Sequence, residues 1–279
     1  MHPIYTYIRQ ELSGYYPDAE AAALAKYILT EKFQLSALDL YAGKDMNFSS
    51  ENLSEVNDIL MRLKSYEPLQ YIMGETWFCG FRFKVTPSVL IPRPETSELI
   101  DWIVDDNKRE EISVLDIGTG SGCIPISLSL MMNSPVVSAW DISEQALSVA
   151  SENARMNNVD IAFSRVDVLS TDIPDIKTDI IVSNPPYITD SEKTDMERNV
   201  LEWEPGLALF VPDDDPLRFY RRIAEIGIDI LNCEGLIYFE INRAYGKETV
   251  EMLSSMGYRN IELRKDLSGN DRMIKAVRP

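Results

Sequence analysis

From about residue 95 to the C-terminus, short apolar runs fit for buried strands alternate with longer segments of helical pattern, and this order limits the fold more than any other feature. Residues 112–117 and 179–183 are the clearest runs, with 135–140, 161–166 and 236–241 as further strands. Residues 96–107, 123–132, 144–157, 214–231 and 245–256 fill the gaps as helices. Strands that are apolar on both faces need both faces covered, and strands joined through helices run parallel. The pattern predicts an α/β fold with a mostly parallel sheet between helical layers, in which 261–263 and 273–277 close the sheet as an antiparallel pair. A chain of 279 residues also has room for a second domain.

That second domain is predicted upstream. Leu24, Tyr27 and Ile28 follow Pro17-Asp18, and Leu53, Val56, Leu60 and Leu63 recur at helical spacing after Ser49-Ser50, which can cap. No strand-like alternation interrupts the stretch, so residues 1–73 are expected to form a small all-helical domain. Residues 76–86 then alternate, with Phe81, Phe83 and Val85 on one face, Arg82 and Lys84 on the other, and a turn at Cys79-Gly80. Residues 74–90 are expected to be a β-hairpin linker, and 91–279 the α/β domain.

Composition removes several kinds of chemistry. His2 is the only histidine, which excludes the usual His-based triads, imidazole bases and His metal clusters. Cys79, Cys123 and Cys233 are far apart and form no C-x-x-C pair, so they are expected to be buried apolar residues, and no metal site is predicted. The net charge of −18 and pI near 4.5 repel phosphate-rich partners, which argues against direct nucleic-acid binding and against anionic membranes. There is no apolar run of membrane-spanning length and no basic-then-apolar leader pattern, so a cytoplasmic location is expected. The lack of a long exposed apolar stripe predicts a monomer.

The first chemical constellation is Val114-Leu115-Asp116-Ile117-Gly118-Thr119-Gly120-Ser121-Gly122, a strand entering a glycine-rich turn and then a helix. Such a turn lets the backbone approach a ligand, and the N–H groups of the next helix face it. The G-x-G-x-G spacing, preceded by Asp116, resembles the S-adenosylmethionine site of Rossmann-like methyltransferases rather than a dinucleotide fingerprint. Asp141 ends the next strand, where a carboxylate can take both hydroxyls of a ribose. The purely structural alternative is a tight turn with a solvated Asp141.

The second constellation is the strand at 179–183 delivering Asn184-Pro185-Pro186-Tyr187 to its carboxyl end, the edge where open α/β sheets bind ligands. This tetrapeptide suits methyl transfer to a planar NH2 nitrogen whose lone pair is delocalised. The Asn184 side-chain oxygen and the Pro185 carbonyl can accept its two N–H groups, while Tyr187 covers the planar group from one face. The two prolines fix φ and hold the acceptors in place beforehand. A stiff turn with Asn184 as a local cap is the structural alternative.

With both motifs in hand, the chain resembles the protein-(glutamine-N5) methyltransferases of peptide-chain release factors. The resemblance is carried by Pro68-Leu69-Gln70-Tyr71-Ile72-Met73-Gly74-Glu75, by Val89-Leu90-Ile91-Pro92-Arg93-Pro94-Glu95-Thr96, by Glu204-Pro205 with Ala208-Leu209, and by Lys265-Asp266-Leu267-Ser268-Gly269-Asn270-Asp271-Arg272. It implies a seven-stranded class I methyltransferase sheet, S-adenosylmethionine as cofactor with S-adenosylhomocysteine as product, and a protein partner, the class 1 release factors, methylated on the glutamine of a Gly-Gly-Gln loop. It carries Gly118, Thr119, Gly120, Ser121, Gly122, Asp141 and Asn184 over to the cofactor site. Asn184, Pro185, Pro186 and Tyr187 would form the glutamine pocket, with Asn184, Pro185 and Tyr187 at the reacting amide. Where some relatives place an aromatic residue near the adenine this chain has Asp167-Val168, so Val168 would offer its backbone and an apolar wall.

Other positions have both structural and functional readings. Arg93, held extended between prolines, can pair a nearby carboxylate or contact substrate, and Glu95-Thr96 can cap the following helix. Trp203 and Phe210 can wall a substrate channel or sit in the core, and residues 211–216 read as a solvated acidic turn. The rival function is an N-methyltransferase acting on an exocyclic amino group of a nucleic-acid base (adenine N6, cytosine N4 or guanine N2), which the acidic charge disfavours.

Overall fold

The computed structural model describes residues 2–42 and 48–279. The chain divides into two compact units, Met1–Gly74 together with Arg198–Trp203, and Glu75–Glu197 together with Glu204–Pro279.

The first unit contains α1 (Pro3–Leu12), α2 (Asp18–Tyr27), α3 (Ala37–Ala42), α4 (Ser50–Lys64) and α5 (Leu69–Met73). A π-helical turn, Ile28–Lys32, extends α2 where the sequence predicts ordinary helix. Ile4, Ile8 and Leu12 of α1 and Val56, Ile59, Leu60 and Leu63 of α4 recur at three- and four-residue steps and meet in one core with Ala21, Ala25 and Ile28. Leu53, placed on that stripe by its spacing, is exposed instead. The Ser49 hydroxyl accepts from the Asn52 backbone N–H at 3.1 Å and caps α4 as expected. The helix Arg198–Trp203 joins this unit through Trp203, whose indole N–H donates to the Ser65 carbonyl at 3.2 Å, and through Arg198, stacked over the Tyr66 ring.

The second unit begins with a hairpin of β1 (Glu75–Phe78) and β2 (Phe81–Lys84). Its turn, Cys79-Gly80, has φ of +49° and +81°, the doubly positive turn whose twist suits a two-residue hairpin. The hairpin packs on the α/β core: Phe78 and Phe83 are buried in it, and the Asn153 amide bridges the Lys84 backbone and the Ser121 carbonyl.

The sheet strands are β3 (Ser113–Ile117), β4 (Val136–Asp141), β5 (Ala162–Arg165), β6 (Thr178–Ser183), β9 (Leu231–Glu240), β10 (Arg259–Lys265) and β11 (Asp271–Val277). Between β6 and β9 lies a two-residue parallel pair, β7 (Ile188–Thr189) and β8 (Phe210–Val211), too short to announce itself as periodicity. The helices are α6 (Pro94–Asp106), α7 (Cys123–Met131), α8 (Glu144–Met156), α9 (Arg198–Trp203, in the first unit), α10 (Arg218–Ile230) and α11 (Gly246–Ser255). Sheet order is β10-β11-β9-β6-β3-β4-β5, parallel from β9 to β5, with β11 and β10 antiparallel at the far edge.

Strand alternation sorts the apolar side chains into two layers. Val114, Ile180, Val182 and Tyr238 face α6 and α7, whereas Leu115, Ile181, Ile237 and Phe239 face α10 and α11. The order also places a switch point beside β3: the chain runs from β3 through β4 to β5, then returns to β6 on the other side of β3. A crevice opens outside the carboxyl ends at such a point.

Three local expectations are corrected. Val211 is a buried strand residue, so the solvated acidic turn starts after it. Cys233 is exposed, although Cys123 is buried and Cys79 half-buried. The strand predicted at 236–241 begins earlier, at Leu231, because Asn232 donates to the Asp179 carboxylate and holds the polar start of β9 to β6. Among the described residues no helix is long and apolar enough to cross a membrane.

Candidate functional site

A cavity of about 380 Å³ lies at the switch point, large enough for a nucleoside-sized ligand. Gly118, Thr119, Gly120 and Ser121 after β3, Asp141 at the end of β4, and Asn184, Pro185 and Pro186 after β6 all line it. Loops some sixty residues apart in sequence converge because β3 and β6 are hydrogen-bonded neighbours.

The glycine loop turns back over β4: the Gly118 and Thr119 N–H groups donate to the Trp140 carbonyl at 2.8 and 3.0 Å. Gly120 has φ of +54° with nothing within 4 Å of where a Cβ would point, leaving its backbone open to a ligand. Gly122 does not line the cavity. It caps α7 in the left-handed conformation, and a Cβ there would meet Ala150 Cβ and Ile126 Cδ1 at 3.1 Å, so its lack of a side chain serves helix packing.

Asp141 is engaged before any ligand arrives. Its Oδ2 accepts from the Gly120 N–H and its Oδ1 from the Ser143 N–H, both at 2.9 Å. Burial pushes its pKa upward, opposed by those N–H bonds. The carboxylate thus clamps the glycine loop and is not the solvated turn residue of the structural alternative, yet it retains lone pairs toward the cavity it lines.

Beneath the loop Asp116 is fully buried, and neither carboxylate oxygen has a hydrogen-bond partner; the Thr119 and Ser121 hydroxyls are likewise buried and unpartnered. Desolvation raises Asp116 to about 7, offset in part by the nearby Thr119 hydroxyl and reinforced by the Asp141 charge. Thr119 and Ser121 line the cavity, whereas Asp116 lies outside its wall. In the sequence Asp116 is legible only as part of the glycine motif, with no contact of its own.

On the facing side, Asn184 Nδ2 donates to Thr96 Oγ1 at 3.4 Å, and Thr96 Oγ1 donates to Glu240 Oε2 at 2.6 Å. The Tyr187 hydroxyl donates to Glu240 Oε1 at 3.1 Å, and the Tyr187 carbonyl accepts from Asn242 Nδ2 at 3.0 Å. Tyr187 is not among the residues that line the cavity, and its hydroxyl is engaged by Glu240. Burial raises the pKa of Glu240, while Thr96, Arg272 and Tyr187 lower it and Glu95 raises it further. Sequence reasoning missed Thr96 and Glu240 as site residues; the available signal was a glutamate closing the apolar strand Tyr238-Phe239-Glu240.

The remaining candidates sort themselves. Arg93 lines the cavity and pairs with Glu204, one of the two roles open to it in the sequence. Thr96 does not cap α6: its hydroxyl serves Glu240, and the N-cap position, Arg93, makes no side-chain cap bond. Glu95 stays in the first turn of α6 and touches the site through its charge on Glu240. Val168 lines the cavity, and Arg222 pins its segment by donating to the Val168 and Ser170 carbonyls at 2.9 and 2.8 Å. Trp203 and Phe210 do not line this cavity; Phe210 lies under the Lys193 ammonium, 4.1 Å from its ring centre. Among the described residues no group of three or more His, Cys, Asp or Glu side chains is placed to hold a metal ion.

Two family models match the chain, the PrmC N-terminal domain over residues 4–74 and the methyltransferase small domain over residues 96–202. A release factor glutamine methyltransferase of Bacteroides thetaiotaomicron is 51% identical over 279 residues, covering 100% of both chains. One of Flavobacterium psychrophilum is 45% identical over 95% of each. Among solved structures, the hMettl16 catalytic domain in complex with the MAT2A 3'UTR hairpin 1 superposes with a TM-score of 0.58 at 17% identity, covering 92% of this chain and 90% of that one. A methyltransferase from Pyrococcus furiosus gives 0.53 at 14%, covering 82% and 98%. At those identities the structural matches establish the fold alone, a Rossmann-like class I methyltransferase sheet of seven strands.

Proposed function

The chain belongs to the release factor glutamine methyltransferase family, and on that premise we propose that it transfers a methyl group to the side-chain N5 of the glutamine in the Gly-Gly-Gln motif of class 1 peptide-chain release factors. The observation that carries the reading is the meeting of the glycine loop after β3 and the Asn-Pro-Pro turn after β6 in one cavity. A cofactor loop and an acceptor for a planar amide are thereby neighbours.

The cavity suits S-adenosylmethionine, which when bound supplies an electrophilic methyl carbon. Asp141, held by Gly120 and Ser143, takes the ribose hydroxyls with its remaining lone pairs. Gly118, Thr119, Gly120 and Ser121, which line the cavity, follow the chain of the ligand. Val168 and Leu169 provide an apolar wall for the base.

Asn184 Oδ1 and the Pro185 carbonyl accept the two N–H groups of the glutamine amide and turn its lone pair toward the cofactor side of the cavity. Pro185 and Pro186 fix the turn, and Tyr187, tied at its hydroxyl and its carbonyl, backs it from behind. Positioning supplies most of the acceleration such a site can give. An N-methylated amide nitrogen still carrying its extra proton is strongly acidic and sheds it unaided, so no residue is assigned as base. The helical first unit docks the body of the release factor.

Incubation with methyl-labelled S-adenosylmethionine tests the reading against three acceptors: a release factor, the same factor with its Gly-Gly-Gln glutamine replaced, and nucleic acid. Label on the first alone is expected. Label on nucleic acid, or on the factor regardless of its glutamine, would overturn the assignment.

A further inference from the structure

Asn184 offers the cavity either an acceptor, Oδ1, or a donor, Nδ2, and only the acceptor can hold the N–H group of a substrate amide. The two ends of a primary amide have nearly the same shape, so packing alone does not choose between them. The hydrogen-bond inventory around Asn184 does.

Glu240 is fully buried at the end of β9; burial pushes its pKa up, and the Thr96 hydroxyl, the Arg272 guanidinium and the Tyr187 hydroxyl oppose that shift by favouring the carboxylate. A carboxylate only accepts, and its two oxygens take the Thr96 hydroxyl at 2.6 Å and the Tyr187 hydroxyl at 3.1 Å. The Thr96 hydroxyl has one proton, and Glu240 has claimed it. Toward Asn184, 3.4 Å away, Thr96 therefore presents a lone pair and requires a donor there. Nδ2 meets that requirement. The reverse orientation would set Oδ1 against an oxygen with no proton to give, leaving a polar clash in a buried network.

We propose that Thr96 and Glu240 are positioning residues that select the orientation of the Asn184 amide, holding Nδ2 inward so that Oδ1 faces the methyl acceptor. The inference rests on the amide-methylating reading above and adds to it how the acceptor comes to be an acceptor before substrate binds. The three side chains come from α6, the turn after β6 and the end of β9, so the device exists only in the folded sheet. The same carboxylate restrains the Tyr187 hydroxyl, tying both ends of the Asn-Pro-Pro-Tyr turn to one anchor.

The test is a double-mutant cycle on the full-length enzyme with a release factor as substrate. Thr96→Val keeps the shape and removes the hydroxyl; it should lower kcat about 10-fold while cofactor affinity stays within about twofold, and Thr96→Ser should restore most of the loss. In Asn184→Asp both side-chain oxygens are acceptors and there is no orientation to select. Adding Thr96→Val to that background should therefore cost less than about twofold, whereas a merely structural threonine would cost the same in both backgrounds. Equal losses in the two backgrounds, or a folded Thr96→Val enzyme with unchanged kcat, would overturn the proposal. Should Thr96→Val not fold, the wild-type enzyme still decides: NMR should show the Asn184 Nδ2 protons in contact with the Thr96 side chain, and their absence from it refutes the orientation. A wild-type enzyme that puts no label on the release-factor glutamine would instead sink the parent reading, so the two failures are distinct.

Discussion

The guanidinium of Arg93 and the carboxylate of Glu204, 111 residues apart in the chain, meet at 2.5 Å on the rim of the cavity. Their environments differ: the Glu204 side chain is 1% exposed and that of Arg93 32%. Glu204 also accepts from the Ile91 N–H at 3.2 Å, so one buried acid fastens both the guanidinium and the backbone leading into α6.

The asymmetry predicts unequal costs. Arg93→Ala strands a buried charge and should destabilise the second unit by about 3–5 kcal/mol, whereas Glu204→Ala leaves an arginine that water can reach and should cost about 1–2 kcal/mol. Urea unfolding of the two variants checks the ranking. Equal losses would mean that the pair is effectively solvated.

Asp141→Ala should weaken S-adenosylmethionine binding by about 1.5–3 kcal/mol, the range for removing a charged acceptor. Because Asp141 also holds the Gly120 and Ser143 N–H groups, the substitution should loosen the empty loop as well. Hydrogen exchange at those amides should quicken together with the loss of affinity in calorimetric titration. Unchanged affinity would remove Asp141 from the cofactor site.

Asn184→Ala should reduce kcat by about 10²–10³ with a far smaller change in cofactor affinity, as for the loss of one preorganised hydrogen-bonding group. Asn184→Asp should bind cofactor well and turn over slowly, since a negative charge beside a sulfonium stabilises the cation that methyl transfer neutralises. Near-normal single-turnover rates in either variant would reduce the turn to scaffolding.

Asp116 predicts a pH signature. An acid whose folded pKa is pushed up to about 7 keeps its proton more readily in the folded state than in the unfolded one. The fold is therefore unpenalised at low pH and progressively penalised as pH rises from about 4 through about 7, by roughly 4 kcal/mol at most. Asp116→Asn should flatten that part of the profile of Tm against pH in the ligand-free protein. Parallel profiles for variant and wild type would show that Asp116 does not titrate there.

If residues 1–73 dock the protein substrate, deleting them should raise KM for an intact release factor at least about 10-fold more than for a short Gly-Gly-Gln peptide, because only the protein can use a remote contact. The deletion also removes the Ser65 carbonyl that receives the Trp203 indole, so the ratio of the two KM values, rather than either alone, is the measure. Equal losses on both substrates would end the docking role.

What the sequence alone determined is what local patterning can encode. Apolar runs such as Val114-Leu115 and Ile180-Ile181-Val182 announce strands buried on both faces, and Gly118 to Gly122 announces a turn that only glycines permit. Asn184-Pro185-Pro186 carries its own rigidity, and the segments that carry the resemblance point to the family. Where the signal was a single residue, reading failed or stopped short. Thr96 looks like a helix cap, Gly122 like one more loop glycine, and Glu240 like an unremarked strand end.

Thr96 acquires its role from partners 88 and 144 positions away, and Glu240 from partners 53 and 144 positions away, which no periodicity within one segment can report. Only the sheet order, which sets β6 between β3 and β9, brings Asn184, Thr96 and Glu240 into one hydrogen-bonded line and buries Asp116 beneath the loop. Burial then gives these groups their strength, because a polar atom cut off from water must find its partner within the fold or keep the cost of lacking one. The sequence supplies the donors and acceptors; the tertiary structure decides which of them meet and which are left for a ligand.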